Sequence, residues 1–324
     1  MNANDIFNIN NSQAFEKTAL NVFKLQYDLL PLYRSFCDSI QRTPQNVSEI
    51  NQIPFLPIQF FRTHEININP SYDILFESSG TTQPNTSRHY VADKQLYKTS
   101  FKKTFELFYG PSEDFVWLAL MPSVSERKHS SLVYMTDYFI RHSKHSESGF
   151  YLNRLNKLYQ TILTCIEQKK KIILLGLSYA LLDFAENYSL PTYENLIVME
   201  TGGMKGKRPE MVRQELHTFL IKALNVTNIH SEYGMTELLS QAYSKREGLF
   251  RTPPWMKVLI RDVYNPLNIG LVERNGGINI IDLANIYSCA FIETEDMGMV
   301  HTDGSFEVIG RMENTINRGC NMLI

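Results

Sequence analysis

Apolar residues near the start of the chain recur at helical spacing. Phe15, Ala19, Val22, Phe23 and Leu30 predict a helix within 12–40, kinked or divided by Pro31 and ending near Pro44. Pro54 and Pro57 bracket an extended apolar stretch with Phe55, Leu56, Phe60 and Phe61, so residues 1–60 read as a helical leader packed on a main domain. From Tyr72 the pattern alternates. Strands are predicted over 72–76, 115–121, 171–177, 196–199 and 226–230, with helices over 93–108, 131–142, 153–168, 179–187 and 209–225 between them. Continuously apolar strands such as 172–175 suit a sheet covered on both faces. The alternation predicts an α/β fold over 61–240 with mainly parallel sheets. Beyond Gln241 the runs shorten to strands over 256–263, 278–283, 298–302 and 305–309, with turns at Asn275-Gly276-Gly277 and Asp303-Gly304. Residues 241–324 therefore read as a small β-rich subdomain with a terminal tail.

Composition narrows the class. Of 324 residues, 43% are hydrophobic and 20% charged, enough apolar matter for a packed core. A net charge of −2 gives no electrostatic case for a nucleic-acid partner, and Lys169-Lys170-Lys171 reads as a solvated helix end. Cys37, Cys165, Cys289 and Cys320 contain no Cys-x-x-Cys pair, so neither a zinc knuckle nor a disulfide framework is indicated. The N-terminus lacks a signal peptide's basic and apolar regions. No apolar run approaches the ~20 residues that span a bilayer. A cytoplasmic location is the expectation.

Candidate chemistry begins where the first strand ends. Ser78-Ser79-Gly80-Thr81-Thr82 supplies hydroxyl groups, backbone N–H groups and a flexible glycine that can converge on an anion such as phosphate. It is not a Walker motif. Glu232-Tyr233-Gly234-Met235-Thr236-Glu237 follows, with Thr201-Gly202-Gly203 upstream and Glu295-Asp296 and Gly310-Arg311 downstream. Gly234 permits close backbone approach. The carboxylate of Glu237 is a hard oxygen ligand suited to Mg²⁺.

In that order these segments resemble the adenylate-forming enzymes, which activate a carboxylate with ATP as an acyl-AMP. The resemblance implies that Tyr233 stacks on adenine beside Gly202 and Gly203, that Thr236 contacts the α-phosphate, and that Glu237 binds Mg²⁺. It implies that Asp296 takes the ribose hydroxyls and that Arg311 reaches the ribose or the α-phosphate. Departures are present. Gln83-Pro84-Asn85 stands where the family's phosphate loop carries glycine, proline and lysine, with Arg88 as a replacement cation, and Glu295 stands for a glycine. Thirteen residues follow Arg311 (324 − 311), so the lid domain and its lysine are expected to be absent. With Pro122-Ser123, Glu126-Arg127, the run 130–135 and Cys320 near the terminus, the chain resembles the LuxE-type acyl-protein synthetases. That resemblance implies a fatty acid or other carboxylic acid as substrate and transfer of its acyl group to Cys320. An acceptor protein, an acyl reductase or carrier protein, is then implied. A thiolate suits such a step, and Arg311 and Arg318 are near in sequence to lower its pKa.

Other readings compete. An adenylate-forming ligase could deliver directly to a carrier protein or coenzyme A. A nucleotide-binding subunit could only regulate a partner. Gly176-Leu177-Ser178-Tyr179-Ala180 has the strand-to-helix context of a serine-hydrolase elbow, with His301 and Asp262 or Asp282 to complete a triad, although a helix N-cap accounts for Ser178 too. His142, His145 and Glu147 make a weak metal pattern.

Overall fold

The computed structural model describes residues 3–78, 86–204, 206–209 and 211–312. Local chemistry sets the first elements. Asn11 accepts the Ala14 N–H and starts α1 (Ser12–Leu29). Pro31 occupies the first turn of α2 (Pro31–Ser39), where its missing N–H is no loss, so Leu30 is the joint between the two helices. The leader then runs through β1 (Leu56–Pro57) and α3 (Phe60–Thr63).

Next comes a hairpin, β2 (Ile74–Glu77) and β3 (Arg88–Val91). It forms its own two-stranded antiparallel sheet. The expectation that residues 72–76 open the parallel sheet is thereby corrected. The segment finds its partner across the loop that follows it, within hairpin reach.

The α/β region follows with α4 (Lys94–Tyr109), β4 (Phe115–Leu120), α5 (Ser131–His142), β5 (Gly149–Phe150), α6 (Leu155–Glu167), β6 (Lys171–Leu177), α7 (Ser178–Asn187), β7 (Leu196–Thr201), α8 (Arg213–Leu224) and β8 (Ile229–Tyr233). Asp93 and Ser130 cap α4 and α5 through their side chains. Strand β4 is buried at every position and β6 at all but Lys171, as a sheet covered on both faces requires. Strands β5, β4, β6, β7 and β8 are parallel neighbours in that order. The aromatic residues pack as core, with Trp117 stacked on Phe139 and both against Phe105.

Beyond β8 lie β9 (Ala242–Ser244), β10 (Phe250–Arg251), β11 (Met256–Arg261), β12 (Gly276–Asp282), β13 (Phe291–Val300) and β14 (Phe306–Arg311). Among the described residues the parallel strands and these antiparallel ones form one continuous twelve-stranded sheet, joined through β8–β9–β10–β14. The result is a mixed α/β architecture whose parallel half is sheathed by helices.

Three local expectations are corrected. Strand β8 runs on to Tyr233 rather than stopping at 230, because left-handed Asn225 ends α8 and β9 pairs with Ser231, Glu232 and Tyr233. Gly276 and Gly277 begin β12 instead of forming a turn. A Cβ on Gly277 would lie 2.3 Å from the Arg261 guanidinium carbon. Strand β13 covers ten residues, most of them missed, because its polar face is satisfied only by distant partners. The turn at Asp303-Gly304 between β13 and β14 is as expected, with Gly304 at φ +80°.

The leader packs on the antiparallel half. Strand β1 pairs in parallel with β13. Phe23, Tyr33 and Phe55 surround Phe291. Fully buried Gln26 donates to the Asn285 and Ile286 carbonyls at 2.9 and 3.1 Å and accepts the Ala290 N–H at 3.0 Å. Both of its N–H donors and its carbonyl oxygen are engaged at this seam.

Candidate active site

The parallel strands end at one edge, and an open α/β sheet binds ligands beyond the carboxyl ends of its strands. Here β7 ends at Thr201 and passes into Gly202 and Gly203, at φ +74° and +67°. Alongside it, β8 ends at Tyr233. The Thr201 hydroxyl donates to the buried Glu232 carboxylate. A Cβ on Gly234 would lie 2.5 Å from Glu232 Oε1, so the glycine lets the chain leave β8 without displacing that carboxylate. Glu232 is thus built into the frame of the edge.

Thr236 and Glu237 form the turn after β8, and buried groups hold that turn. Asp282 accepts the Leu239 and Ser240 N–H groups at 2.8 and 2.9 Å and the Ser240 hydroxyl at 2.6 Å. Asn285 donates to the Glu237 carbonyl at 2.7 Å. Trp255 donates its indole N–H to Ser240 and Ser100. The hairpin closes from the other side. Ser87, just before β3, and His89 within it alternate with Arg88 and are both buried. His89 Nδ1 donates to the Thr236 carbonyl at 2.8 Å, since a carbonyl only accepts, and its ring packs edge-on against Phe61. Burial pushes the His89 imidazole down to about 4, so it is neutral at pH 7.

Glu237 is buried, and its carboxyl is raised above the usual range by that burial. A hydrogen bond from Ser87 and the positive charges of Arg62 and Arg311 pull it part of the way back. Arg62, from α3, is held by Glu295 at 3.2 Å, and Gln59 donates to the same carboxylate at 3.0 Å. Glu295, which stands in place of the resembled family's glycine, therefore anchors a guanidinium beside Glu237. Arg88 lies between Ser87 and His89 on β3 and so points to the opposite face of the hairpin.

The antiparallel half completes the edge. The Tyr233 hydroxyl donates to Asp296 at 2.8 Å, and its ring packs with Phe250 and Phe306. Arg311 is directly opposite Asp296 in register and pairs with it at 3.6 Å. Arg311 is 80% exposed and Asp296 14%, so the pair presents an open cation over a recessed acceptor. Burial raises the Asp296 carboxyl, while Tyr233 and Arg311 lower it in part.

Tyr233, Thr236, Glu237, Asp296 and Arg311 are thus brought together from segments far apart in the chain, with Gly202, Gly203, Glu232 and Gly234 framing them. Ser78 lies at the base of the anion loop. Its N–H donates to the Ser87 carbonyl at 3.0 Å and its hydroxyl accepts the Ser87 N–H at 2.9 Å. Ser79, Gly80, Thr81, Thr82, Arg318 and Cys320 lie outside the described residues. Arg62, Ser87, His89 and Asn285 are given no role by the sequence, and Asp282 enters there only as a member of a rival triad. None belongs to a local motif, and only the long-range pairing of hairpin, leader and β12 delivers them.

The rival sites are not assembled. Ser178 is the first residue of α7 and makes no cap, and its buried hydroxyl donates to Glu200 at 3.1 Å. His301 lies between Glu273 and Glu307, Asp262 binds loop N–H groups, and Asp282 holds the turn described above. His142 bonds the Tyr138 carbonyl, His145 approaches the Asp114 carbonyl, and Glu147 pairs with Lys170. Lys170 is correspondingly only 21% exposed and not a freely solvated end. Among the described residues no group of three or more His, Cys, Asp or Glu side chains is placed to hold a metal ion by itself. No described helix is long and apolar enough to cross a membrane.

This mixed sheet, parallel and helix-covered in one half and antiparallel in the other, matches the fold of adenylate-forming enzymes of known structure. Solved structures agree in fold. 2-Hydroxyisobutyryl-CoA ligase, in an open complex with 2-HIB-AMP and CoA, superposes with a TM-score of 0.65 at 11% identity, covering 93% of this chain and 70% of that one. ATP-bound MatB from Rhodopseudomonas palustris gives 0.54 at 14% identity over 75% of this chain and 49% of that one, so the chain spans about half the length of MatB. The luciferase-like enzyme of the mealworm Zophobas morio gives 0.52 at 15% identity, covering 78% and 59%. The comparison with curated proteins gave no match. Residues 111–324 match the LuxE acyl-protein synthetase family, and the chain belongs to that family.

Proposed function

We propose that this chain activates a carboxylic acid with ATP and passes the acyl group to Cys320. The observation that supports this most is the convergence of Tyr233, Glu237, Asp296 and Arg311 at one edge of a LuxE-family chain. ATP is a substrate here. Tyr233 and the glycines after Thr201 bound the nucleoside, Asp296 accepts from the ribose hydroxyls, and Arg311 approaches the α-phosphate. Mg²⁺ fits as well. Mg²⁺ is commonly held by one or two carboxylates plus substrate phosphates, and the buried Glu237 carboxylate would supply one such oxygen ligand. The ion supplies charge neutralisation when bound. Arg62 adds positive charge on the same side as Glu237.

In the first step a substrate carboxylate oxygen attacks the α-phosphorus. A P–O bond forms, the bond to pyrophosphate breaks, and the acid becomes a mixed anhydride with AMP. The protein's share is positioning and electrostatics. In the second step the Cys320 thiolate attacks the acyl carbon and AMP leaves, giving a thioester that a partner protein can accept. Cys37, Cys165 and Cys289 are buried, and burial pushes their thiols up to about 12, 11 and 12, so they are poor nucleophiles at neutral pH.

The test separates the two steps. Cys320→Ser should retain carboxylate-driven ATP–pyrophosphate exchange within about twofold and lose hydroxylamine-labile acylation by labelled fatty acid, because the anhydride forms before the thiol acts. Acylation of Cys320→Ser at normal yield would refute the self-acylating step. Direct delivery to coenzyme A or a carrier protein would then lead. Absence of exchange in the wild type with any carboxylate would refute activation itself.

A further inference from the structure

Arg261 ends β11 as a buried cation, 3% exposed. Its guanidinium crosses Gly277 of the neighbouring strand and enters an irregularity in β13. There Gly277 pairs with Met297 and Asn279 with Glu293, so Ile278 alone opposes Thr294, Glu295 and Asp296. Such a bulge leaves backbone groups without ladder partners and re-aims side chains. Arg261 supplies the missing donors. Nη1 donates to the Ile278 carbonyl at 2.9 Å and to Asn279 Oδ1 at 2.8 Å, and Nη2 donates to the Thr294 carbonyl at 2.8 Å. Glu293 balances the charge at 3.7 Å. The Thr294 hydroxyl ties the bulge to itself, donating to the Ile278 carbonyl at 2.8 Å and accepting the Asp296 N–H at 3.1 Å. The next side chain in this chain of bonds is Asp296.

We propose that Arg261 and Thr294 form a clamp that shapes the β13 bulge and aims the Asp296 carboxylate, which makes Arg261 the positioning residue for recognition of the ribose hydroxyls. This rests on the assignment of Asp296 to the ribose made above. A planar fork reaches the Ile278 and Thr294 carbonyls and Asn279 at once, whereas a lysine ammonium on a flexible stem does not hold that fixed geometry. The glycine at 277 is part of the same device, since any Cβ there meets the guanidinium. A guanidinium present only to fill the core would affect stability without regard to the ribose.

The experiment titrates the full chain with MgATP and with Mg-2′,3′-dideoxy-ATP by calorimetry, in the wild type, Arg261→Lys and Thr294→Val, with circular dichroism to establish folding. The wild type should prefer ATP by about tenfold or more, as for hydrogen bonds to a charged acceptor. In both variants the preference should fall to about one while dideoxy-ATP affinity stays within about twofold. Should Arg261→Lys fail to fold, Thr294→Val, which exchanges one hydroxyl for a methyl, decides. Variants that keep the wild-type preference, or that weaken both nucleotides equally, would overturn the clamp. A wild type without any preference would instead overturn the ribose assignment beneath it.

Discussion

Glu237 concentrates the electrostatics of the site in one carboxyl. Burial favours its neutral form, whereas Ser87, Arg62 and Arg311 favour the ion. The net direction is upward, so its proton is released above the ordinary glutamate value of about 4.3. In the proposed role only the carboxylate form would hold Mg²⁺. Exchange at limiting Mg²⁺ should therefore fall as the pH drops through a value higher than an ordinary carboxyl would give. Glu237→Gln keeps the volume and removes the charge. Its exchange rate should be lower by on the order of a hundredfold, with that acidic limb gone from the pH profile. A profile of unchanged shape in the variant would take Glu237 out of the metal site. The motif residues 233–237 are legible from sequence because they are contiguous. Arg62 is not, because its relevance depends on a contact with Glu295 across the chain.

At the scale of elements, the turn after β8 owes its shape to β12. Four donors converge on Asp282: the N–H groups of Leu239, Ser240 and Ala284 and the Ser240 hydroxyl. Asp282→Asn substitutes an N–H₂ for one of the accepting oxygens and sets donor against donor. A loss of about 2 kcal/mol in unfolding free energy is expected, together with at least tenfold weaker exchange, since the same turn carries Glu237. Chemical denaturation and exchange assays on one preparation check both. Full stability with full activity would show that the turn holds its shape without Asp282. Sequence reasoning placed Asp282 in a rival triad. The structure gives it the turn instead, because which N–H groups it meets depends on the packing of β12 against the segment after β8.

Across the whole molecule, the leader and the antiparallel half meet at Gln26. Gln26→Leu is nearly isosteric, yet it strips the partner from the Ala290 N–H and one donor each from the Ile286 carbonyl and the Asn285 carbonyl, which keeps the Ser288 N–H, in a buried seam. A destabilisation of about 2–4 kcal/mol is expected, since each buried unsatisfied group costs about 1–3 kcal/mol. The midpoint of denaturant unfolding measures it. Because Asn285 also holds the Glu237 carbonyl, nucleotide affinity should weaken in the folded fraction as well. A variant as stable as the wild type would mean that water or a shifted backbone satisfies the seam.

Periodicity and capping chemistry determined the helices and the parallel strands from sequence. Alternation of apolar runs is a local property, and Asn11, Asp93, Ser130 and Pro31 act within a few residues of themselves. The motifs around Tyr233, Asp296 and Arg311 were legible for the same reason. Tertiary structure alone decided that 74–77 leaves the main sheet, that β13 bulges at Asp296, and that Gly276 and Gly277 make room for Arg261. These depend on which buried donor finds which distant acceptor, and a linear pattern of polar and apolar positions carries no record of that pairing.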